Sequence, residues 1–312
     1  MQGNLDVLLS YLDDGQKEGR LTYQCDYAMT GATTFRIGGL ADVAIWPHSA
    51  DEIASLTAVC RSVDLPFVVI GNGSNLLFDD DGYRGAVILT TSMNGIRRNG
   101  ICLTVECGVP LTRLASYAAK EGLGGLAFAY GIPGTLGGGV FMNAGAYGGE
   151  LMNVITSVSW YDPDADEFGT YVGDQNAFGY RESIYQRENK LILSAELSLT
   201  TADPDSIRAE MDDYMQRRKD KQPLEFPSAG SAFKRYPGYF TAQLIDEAGL
   251  KGYSVGGAQV SEKHAGFIIN RGGATCDDVL RLIDEIKAVI LQRNGIEIEP
   301  EIRYIPCPEK KG

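Results

Sequence analysis

Apolar positions along this chain follow two periods, helical in some stretches and strand-like in others. In SADEIASLTAVCRSV (49–63), Ile53, Leu56 and Cys60 recur at helical spacing. Ser49 stands before them as an N-cap, and Asp51 and Glu52 suit the first turn. Pro66 ends that run, and FVVIG (67–71) follows as a continuous apolar strand. Residues 22–46 read as short extended segments, so a strand–helix–strand unit is expected. GAVILTT (85–91) and GICLTVECGV (100–109) are β-rich. Pro110 opens a helix with Leu111, Leu114, Ala115 and Ala118 on one face and Gly122 just beyond its end. VITSVSWYD and KLILSAELSLT read as strands. Asp203-Pro204 begins a helix striped by Ile207, Met211 and Tyr214. Helices near TAQLIDEAG and CDDVLRLIDEIKAVILQRN follow, and IEIEPEIRYI closes the chain as a strand. The pattern predicts an α+β protein whose strand-rich part gives way to a helix-rich part near residue 200.

Composition narrows the class. The 312 residues are 44% hydrophobic and 22% charged, a globular composition with room for about two domains. No apolar run approaches the roughly 20 residues that span a bilayer. The N-terminal stretch MQGNLDVLLSYLDDGQKEGRL carries acids and no basic start, so it is not read as a signal peptide. A cytoplasmic location is expected. A net charge of −13 disfavours nucleic acid as a partner. The six cysteines at 25, 60, 102, 107, 276 and 307 form no C-x-x-C, and only His48 and His264 could join them. No metal site is expected, and the cysteines are read as reduced and mostly buried. With so few histidines, acid–base work must fall to other groups.

Two glycine-rich stretches carry the candidate chemistry. GNGSN (71–75) leaves a strand; Gly71 and Gly73 permit positive φ, which lets successive N–H groups converge on an anion. GIPGTLGGGVFMNAGAYGGE (131–150) has eight glycines in twenty residues. That density is unsuited to a core helix or strand and suits backbone lying against a ligand. Neither stretch is a P-loop or a dinucleotide-binding fingerprint. Between 217 and 235 the sign of the chain reverses: Arg217, Arg218, Lys219, Lys221, Lys234 and Arg235 face only Asp220 and Glu225. An anionic ligand fits such a local excess.

Seven stretches in order carry a family resemblance: TFRIGGLAD, GNGSNLL, GIPGTLGGGVFMNAGAYGGE, FGYRESIY, KQPLEFPSAGSAFKR, GGAQVSEKHAGFIIN and IEPEIRYI. Spanning residues 34–305, they resemble the UDP-N-acetylenolpyruvoylglucosamine reductases (UDP-N-acetylmuramate dehydrogenases), in the shorter form. Thr33, Gly266 and Tyr236 depart from the usual pattern. The resemblance implies a vanillyl-alcohol-oxidase-like FAD-binding domain over 1–200, with α/β subdomains of about 1–92 and 93–200. A substrate-binding domain over 201–312 would follow, its last strand returning to the active site. It implies non-covalent FAD, NADPH as co-substrate sharing the substrate pocket, no metal, and no obligate protein partner. The implied place is bacterial peptidoglycan precursor synthesis.

The implied reaction adds a hydride from flavin N5 to C3 of an enolpyruvyl ether and a proton to C2. Ser231 is the expected proton donor, held by Gly230 where a Cβ would crowd the substrate. Arg181 and Glu301 are the groups expected to stabilise the enolate. Cofactor contacts are expected from Arg36, Asn72, Gly73, Ser74, Asn75, Leu76, Pro133, Gly134, Thr135, Gly137, Gly138, Asn143, Gly145 and Arg303. Substrate contacts are expected from Tyr147, Tyr180, Arg218, Lys221, Lys234 and Arg235. On one strand, Glu301 and Arg303 would share a face. His264 is expected to be structural and His48 to lie on the surface. Two other readings remain open at this point: a flavin oxidase with an unrelated substrate, and a non-catalytic nucleotide-sugar binder.

Overall fold

A computed structural model of the protein describes residues 2–235 and 238–309; Tyr236, one of the departures from the family pattern, lies outside them. Among the described residues, three larger sheets, each packed against helices over apolar clusters, organise the fold, beside three two-stranded pairings. The first runs in the order Leu21–Ala28, Leu40–Pro47, Tyr83–Leu89, Phe67–Ile70, antiparallel at the first pairing and parallel at the others. Helix Ala50–Ser62 crosses between parallel strands, and the Ser49 hydroxyl accepts from Glu52 N–H as its cap. Ile53, Leu56 and Cys60 are fully buried, as helical spacing predicts. A helix over Gln2–Lys17, which the sequence reading did not anticipate, buries Leu8 and Leu12 against the same sheet.

The second sheet is antiparallel throughout, in the order Glu167–Val172, Ile155–Asp162, Leu191–Ser198, Cys102–Glu106, Ile96–Asn99. Helix Leu111–Lys120 covers one face with Leu111, Leu114, Ala115 and Ala118 buried. Pro110 is the residue that precedes this helix, and Gly122 follows it at φ 68°. Helix Pro204–Lys221 stands beyond the division expected at residue 200. It nonetheless packs Ile207 and Met211 into the core of this second sheet. Its apolar stripe finds its partners there, and its long polar remainder faces water.

The third sheet, Ser228–Ser231, Phe267–Asn270, Ala258–Val260 and Ser254–Val255, is also antiparallel. Helices Thr241–Glu247 and Cys276–Asn294 cover it. Phe35, Ile37 and Leu77, from the chain's first hundred residues, complete its core. Asp80 also accepts from the N–H groups of Cys276 and Asp277 (2.7 and 3.1 Å), so one loop of the first sheet caps a helix of the third. The closing strand is shorter than expected. Only Arg303–Ile305 is a strand, paired in parallel with Leu76–Phe78, and Glu301 precedes it.

Candidate functional site

A cleft of about 550 Å³ opens between the two glycine-rich loops, within the range of cofactor sites. Asn72, Gly73, Ser74, Asn75 and Leu76 line one wall; Gly134, Thr135, Gly137 and Gly138 line the other; Arg303 closes one side. Several glycines of these loops are needed where loop meets protein. A Cβ on Gly71 would fall 2.1 Å from Thr135 Oγ1, and one on Gly73, at φ 56°, would fall 2.1 Å from the Ala32 carbonyl. Gly137 packs on Cys107 and Gly139 on Leu151 in the same way. Residues Leu136–Phe141 form a short helix, contrary to the expectation that the glycines exclude one. Close packing on both sides outweighs their low propensity.

Thr135 is 1% exposed, and among the described residues its Oγ1 has no hydrogen-bond partner. A buried hydroxyl left unpaired is costly, and here it sits in the wall of the cleft. The donor set fits the phosphate oxygens of FAD: the Thr135 and Ser74 hydroxyls and the N–H groups of the tight 71–75 turn. Cys107, also in the wall, is no nucleophile, because burial pushes its thiol to about 12.

Four expected cofactor contacts lie elsewhere. Arg36 is exposed, outside the cleft lining, on a backbone at φ 55°. Pro133 stands behind the loop, where its carbonyl accepts from Asn72 Nδ2 at 2.6 Å. Asn143 is fully buried and bonded to Glu150, Gly179 and Met152. The Gly145 carbonyl accepts from Arg181 Nη2 at 3.1 Å.

Backbone hydrogen bonds lace the expected catalytic residues to the cofactor loop. Asn75 Nδ2 donates to the Glu301 carbonyl (2.9 Å), and the Asn75 carbonyl accepts from Arg303 N–H (2.9 Å). Glu301 N–H in turn donates to the Ala232 carbonyl at 2.8 Å, one residue beyond Ser231. Arg181 Nε donates to Glu301 Oε1 at 2.7 Å, with both side chains largely buried. Ser231 remains accessible, its hydroxyl turned to the Phe233 carbonyl at 3.3 Å. Gly230 before it has φ 78°, and a Cβ there would meet nothing of this chain within 4 Å. The left-handed turn requires that glycine, and within the chain itself a Cβ would not be crowded.

The expected substrate contacts divide. Tyr180 stacks under the Arg181 guanidinium (5.2 Å), and its hydroxyl accepts from Arg235 N–H at 3.3 Å. Tyr147 lies flat on Tyr214, centroids 4.6 Å apart. Arg218 packs against Gly131, half-buried, with no ion pair among the described residues; burial pulls its pKa down. Lys221 is exposed. Lys234 is already paired with Glu299 at 3.1 Å. Arg235 lies over Phe240 at 5.6 Å. His264 is half-buried, accepts from Gly266 N–H at 3.1 Å, and has its pKa lowered by burial. His48 is exposed.

Sequence reasoning missed one wall of the cleft. Phe67–Ile70 and residues 185–192 line it, with Lys190 held between Glu188 and Tyr171 and over the Trp160 ring at 4.4 Å. Apart from Tyr185, which ends FGYRESIY, these residues carry no family motif. Phe141 and Met142 also line it, and their apolar character inside a glycine run was the one available signal. The cysteines divide evenly: Cys60, Cys107 and Cys276 are buried, whereas Cys25, Cys102 and Cys307 are not. No group of metal-ligating side chains occurs among the described residues. No helix there is long and apolar enough to cross a membrane.

Comparison with known proteins agrees with this geometry. Residues 41–168 match the FAD binding domain family, and residues 222–305 match the UDP-N-acetylenolpyruvoylglucosamine reductase, C-terminal domain. A UDP-N-acetylenolpyruvoylglucosamine reductase of Caldanaerobacter subterraneus subsp. tengcongensis is 44% identical over 300 residues, 96% of this chain and 98% of that one. That of Pediococcus pentosaceus is 46% identical over 273 residues, 88% of this chain and 91% of its own. The crystal structure of UDP-N-acetylenolpyruvylglucosamine reductase from Thermus caldophilus superposes with a TM-score of 0.77 at 32% identity, over 92% of this chain and 99% of that chain. With an FAD-binding domain, a family-specific C-terminal domain and relatives matched over nearly their whole length, the chain is an FAD-dependent oxidoreductase and belongs to the UDP-N-acetylenolpyruvoylglucosamine reductase family.

Proposed function

We propose that this reductase uses NADPH to reduce UDP-N-acetylglucosamine enolpyruvate to UDP-N-acetylmuramate, in the cytoplasm, as a step of peptidoglycan precursor synthesis. One observation carries the assignment of roles. The hydrogen-bonded path from Asn75 through Glu301 to Ala232 ties the cofactor loop, the acid and the serine turn into one frame.

Bound flavin supplies the hydride and takes it from NADPH; the chain's own residues do the rest. Loop 71–75, Ser74, Thr135, Gly134 and Gly138 would hold the cofactor's diphosphate, and Arg303, in the lining of the same cleft, would offer a cation to the flavin. The Arg181 guanidinium meets the substrate carboxylate. A planar cation that can meet a carboxylate with two N–H groups, it stabilises the negative charge that develops there as C3 is reduced. Glu301, bonded to Arg181 before substrate arrives, fixes the guanidinium plane and then bonds the developing enol. The Ser231 hydroxyl gives its proton to C2. Tyr180 and Arg235 continue the path outward from Arg181. With Arg218, Lys221, Lys234 and Tyr147, they form the side on which the diphosphate of the nucleotide sugar docks. In Lys234 this requires exchange of Glu299 for phosphate.

The test is spectroscopic and then kinetic. The purified protein is expected to be yellow, with flavin absorbance, and to oxidise NADPH only when the enolpyruvyl nucleotide is present. A colourless protein, or NADPH oxidation indifferent to that nucleotide, contradicts the proposal.

A further inference from the structure

Asn143 is fully buried, and its amide joins three segments. Nδ2 donates to Glu150 Oε2 and to the Gly179 carbonyl, both at 2.9 Å; Oδ1 accepts from Met152 N–H at 3.0 Å. Its φ is 40°, a region that few residues other than glycine tolerate, and asparagine is among those few. Both the conformation and the full use of the amide select asparagine at this position.

The Gly179 carbonyl is the informative partner. Gly179 and Glu182 exchange backbone hydrogen bonds (3.0 and 3.3 Å), closing a tight hairpin with Tyr180 and Arg181 at its tip. Arg181 sits there at φ 57°, and Tyr180 is 43% exposed. The tip is exposed on its Tyr180 side, so its position depends on polar ties. Glu301 Oε1 holds Arg181 Nε at 2.7 Å, and the remaining ties come from the loop that lines the cofactor cleft and from Gln186. Asn143 holds Gly179, the Gly145 carbonyl holds Arg181 Nη2, and Gln186 Nε2 bridges the carbonyls of Arg181 and Phe141, each at 2.8 Å.

We propose that Asn143 is a positioning residue for Arg181, acting beside Glu301 by transmitting the fixed geometry of loop 141–150 to the backbone that carries the guanidinium. This rests on the reading above in which Arg181 meets the substrate carboxylate. Asn143 itself is fully buried and lies outside the cleft lining. A displacement of about one ångström at a reacting group costs on the order of 10²-fold in rate. Loss of the brace therefore slows the step that uses Arg181 and leaves the step that does not.

Asn143→Gly keeps the left-handed backbone and removes the amide; Asn143→Ser is a second variant with a shorter donor. Each is compared with Arg181→Lys and with the double variants, as holoenzymes. Flavin content, Tm, reduction of the flavin by NADPH, and single-turnover reoxidation of reduced enzyme by the enolpyruvyl nucleotide are measured. The expected result is normal flavin content and flavin reduction, and reoxidation slowed about 10²-fold on the wild-type background. On the Arg181→Lys background the further slowing is expected to be under about threefold, because residues acting through one group are not additive. Multiplicative losses on the two backgrounds would overturn the proposal. So would an equal loss in flavin reduction, or loss of flavin from both Asn143 variants. An Arg181→Lys enzyme that reoxidises at the wild-type rate would instead remove the reading of Arg181, and this proposal with it.

Discussion

On the proposed reading, the cofactor cleft and the cation cluster at 217–235 would hold an anion in opposite ways. In the cleft, the work falls to backbone held by close packing: Gly71 and Gly73 could not carry a Cβ without meeting Thr135 or Ala32. In the cluster, long side chains reach out from exposed backbone, and Lys221 and Arg235 stand in solvent. The first arrangement is pre-organised and tolerates no added atoms. The second is adaptable and screened by salt. A flavin that stays bound through many turnovers suits the first, and a substrate that must leave suits the second.

The largest effect is expected where the two regions meet. Ser231→Ala is predicted to slow reduction of the enolpyruvyl nucleotide by about 10²–10⁴-fold, the usual range for a lost proton donor. Its flavin spectrum should match the wild type. Normal turnover would separate the serine turn from the chemistry and break the link between the regions.

Next comes the cleft alone. Gly73→Ala puts a Cβ 2.1 Å from the Ala32 carbonyl at φ 56°. Left-handed strain of about 1–2 kcal/mol and overpacking of about 1–3 kcal/mol are expected together. Thermal unfolding followed by flavin fluorescence should show a lower Tm and early release of flavin; an unchanged melting profile would refute the packing account. The cluster should respond more gently. Arg218→Ala and Lys221→Ala are expected to raise KM for the nucleotide several-fold with little change in kcat, and added salt should raise the wild-type KM while flavin stays bound. A KM indifferent to ionic strength would contradict diphosphate contact.

The smallest effect concerns stability. Burial lowers the pKa of His264. Its neutral form is favoured in the fold, so its contribution is complete above the unfolded value of about 6.5 and is lost as pH falls below it. Tm should therefore drop between neutral and mildly acidic pH, and less steeply in His264→Gln. Parallel profiles for the two proteins would show that His264 has no share in the loss.

The same contrast explains what could be read from the sequence. Helices with clean apolar stripes, such as Ala50–Ser62 and Cys276–Asn294, were legible because one face of each is buried. The helix Gln2–Lys17 was not, since attention to its acids hid the apolar positions Leu8 and Leu12. In the site, motifs identified Asn72, Ser74, Asn75 and Thr135, which do line the cleft. They also named Asn143, which the fold uses to tie Glu150 and Gly179, because a conspicuous asparagine in a glycine loop reads the same whether it faces a ligand or braces the backbone. The 186–192 wall left no trace, because it is built from ordinary residues brought near by sheet pairing. Arg36 was expected to contact the cofactor from its motif, yet nothing in one dimension says which way a left-handed residue turns.

The most direct measurement is a crystal structure of the FAD-loaded protein with the enolpyruvyl nucleotide bound. The prediction is a substrate carboxylate within hydrogen-bond distance of Arg181, its C2 within reach of the Ser231 hydroxyl, and its C3 against the flavin, with Asn75 still bonded to Glu301. A substrate seated with its carboxylate away from Arg181 and its C2 beyond reach of Ser231 would contradict the account.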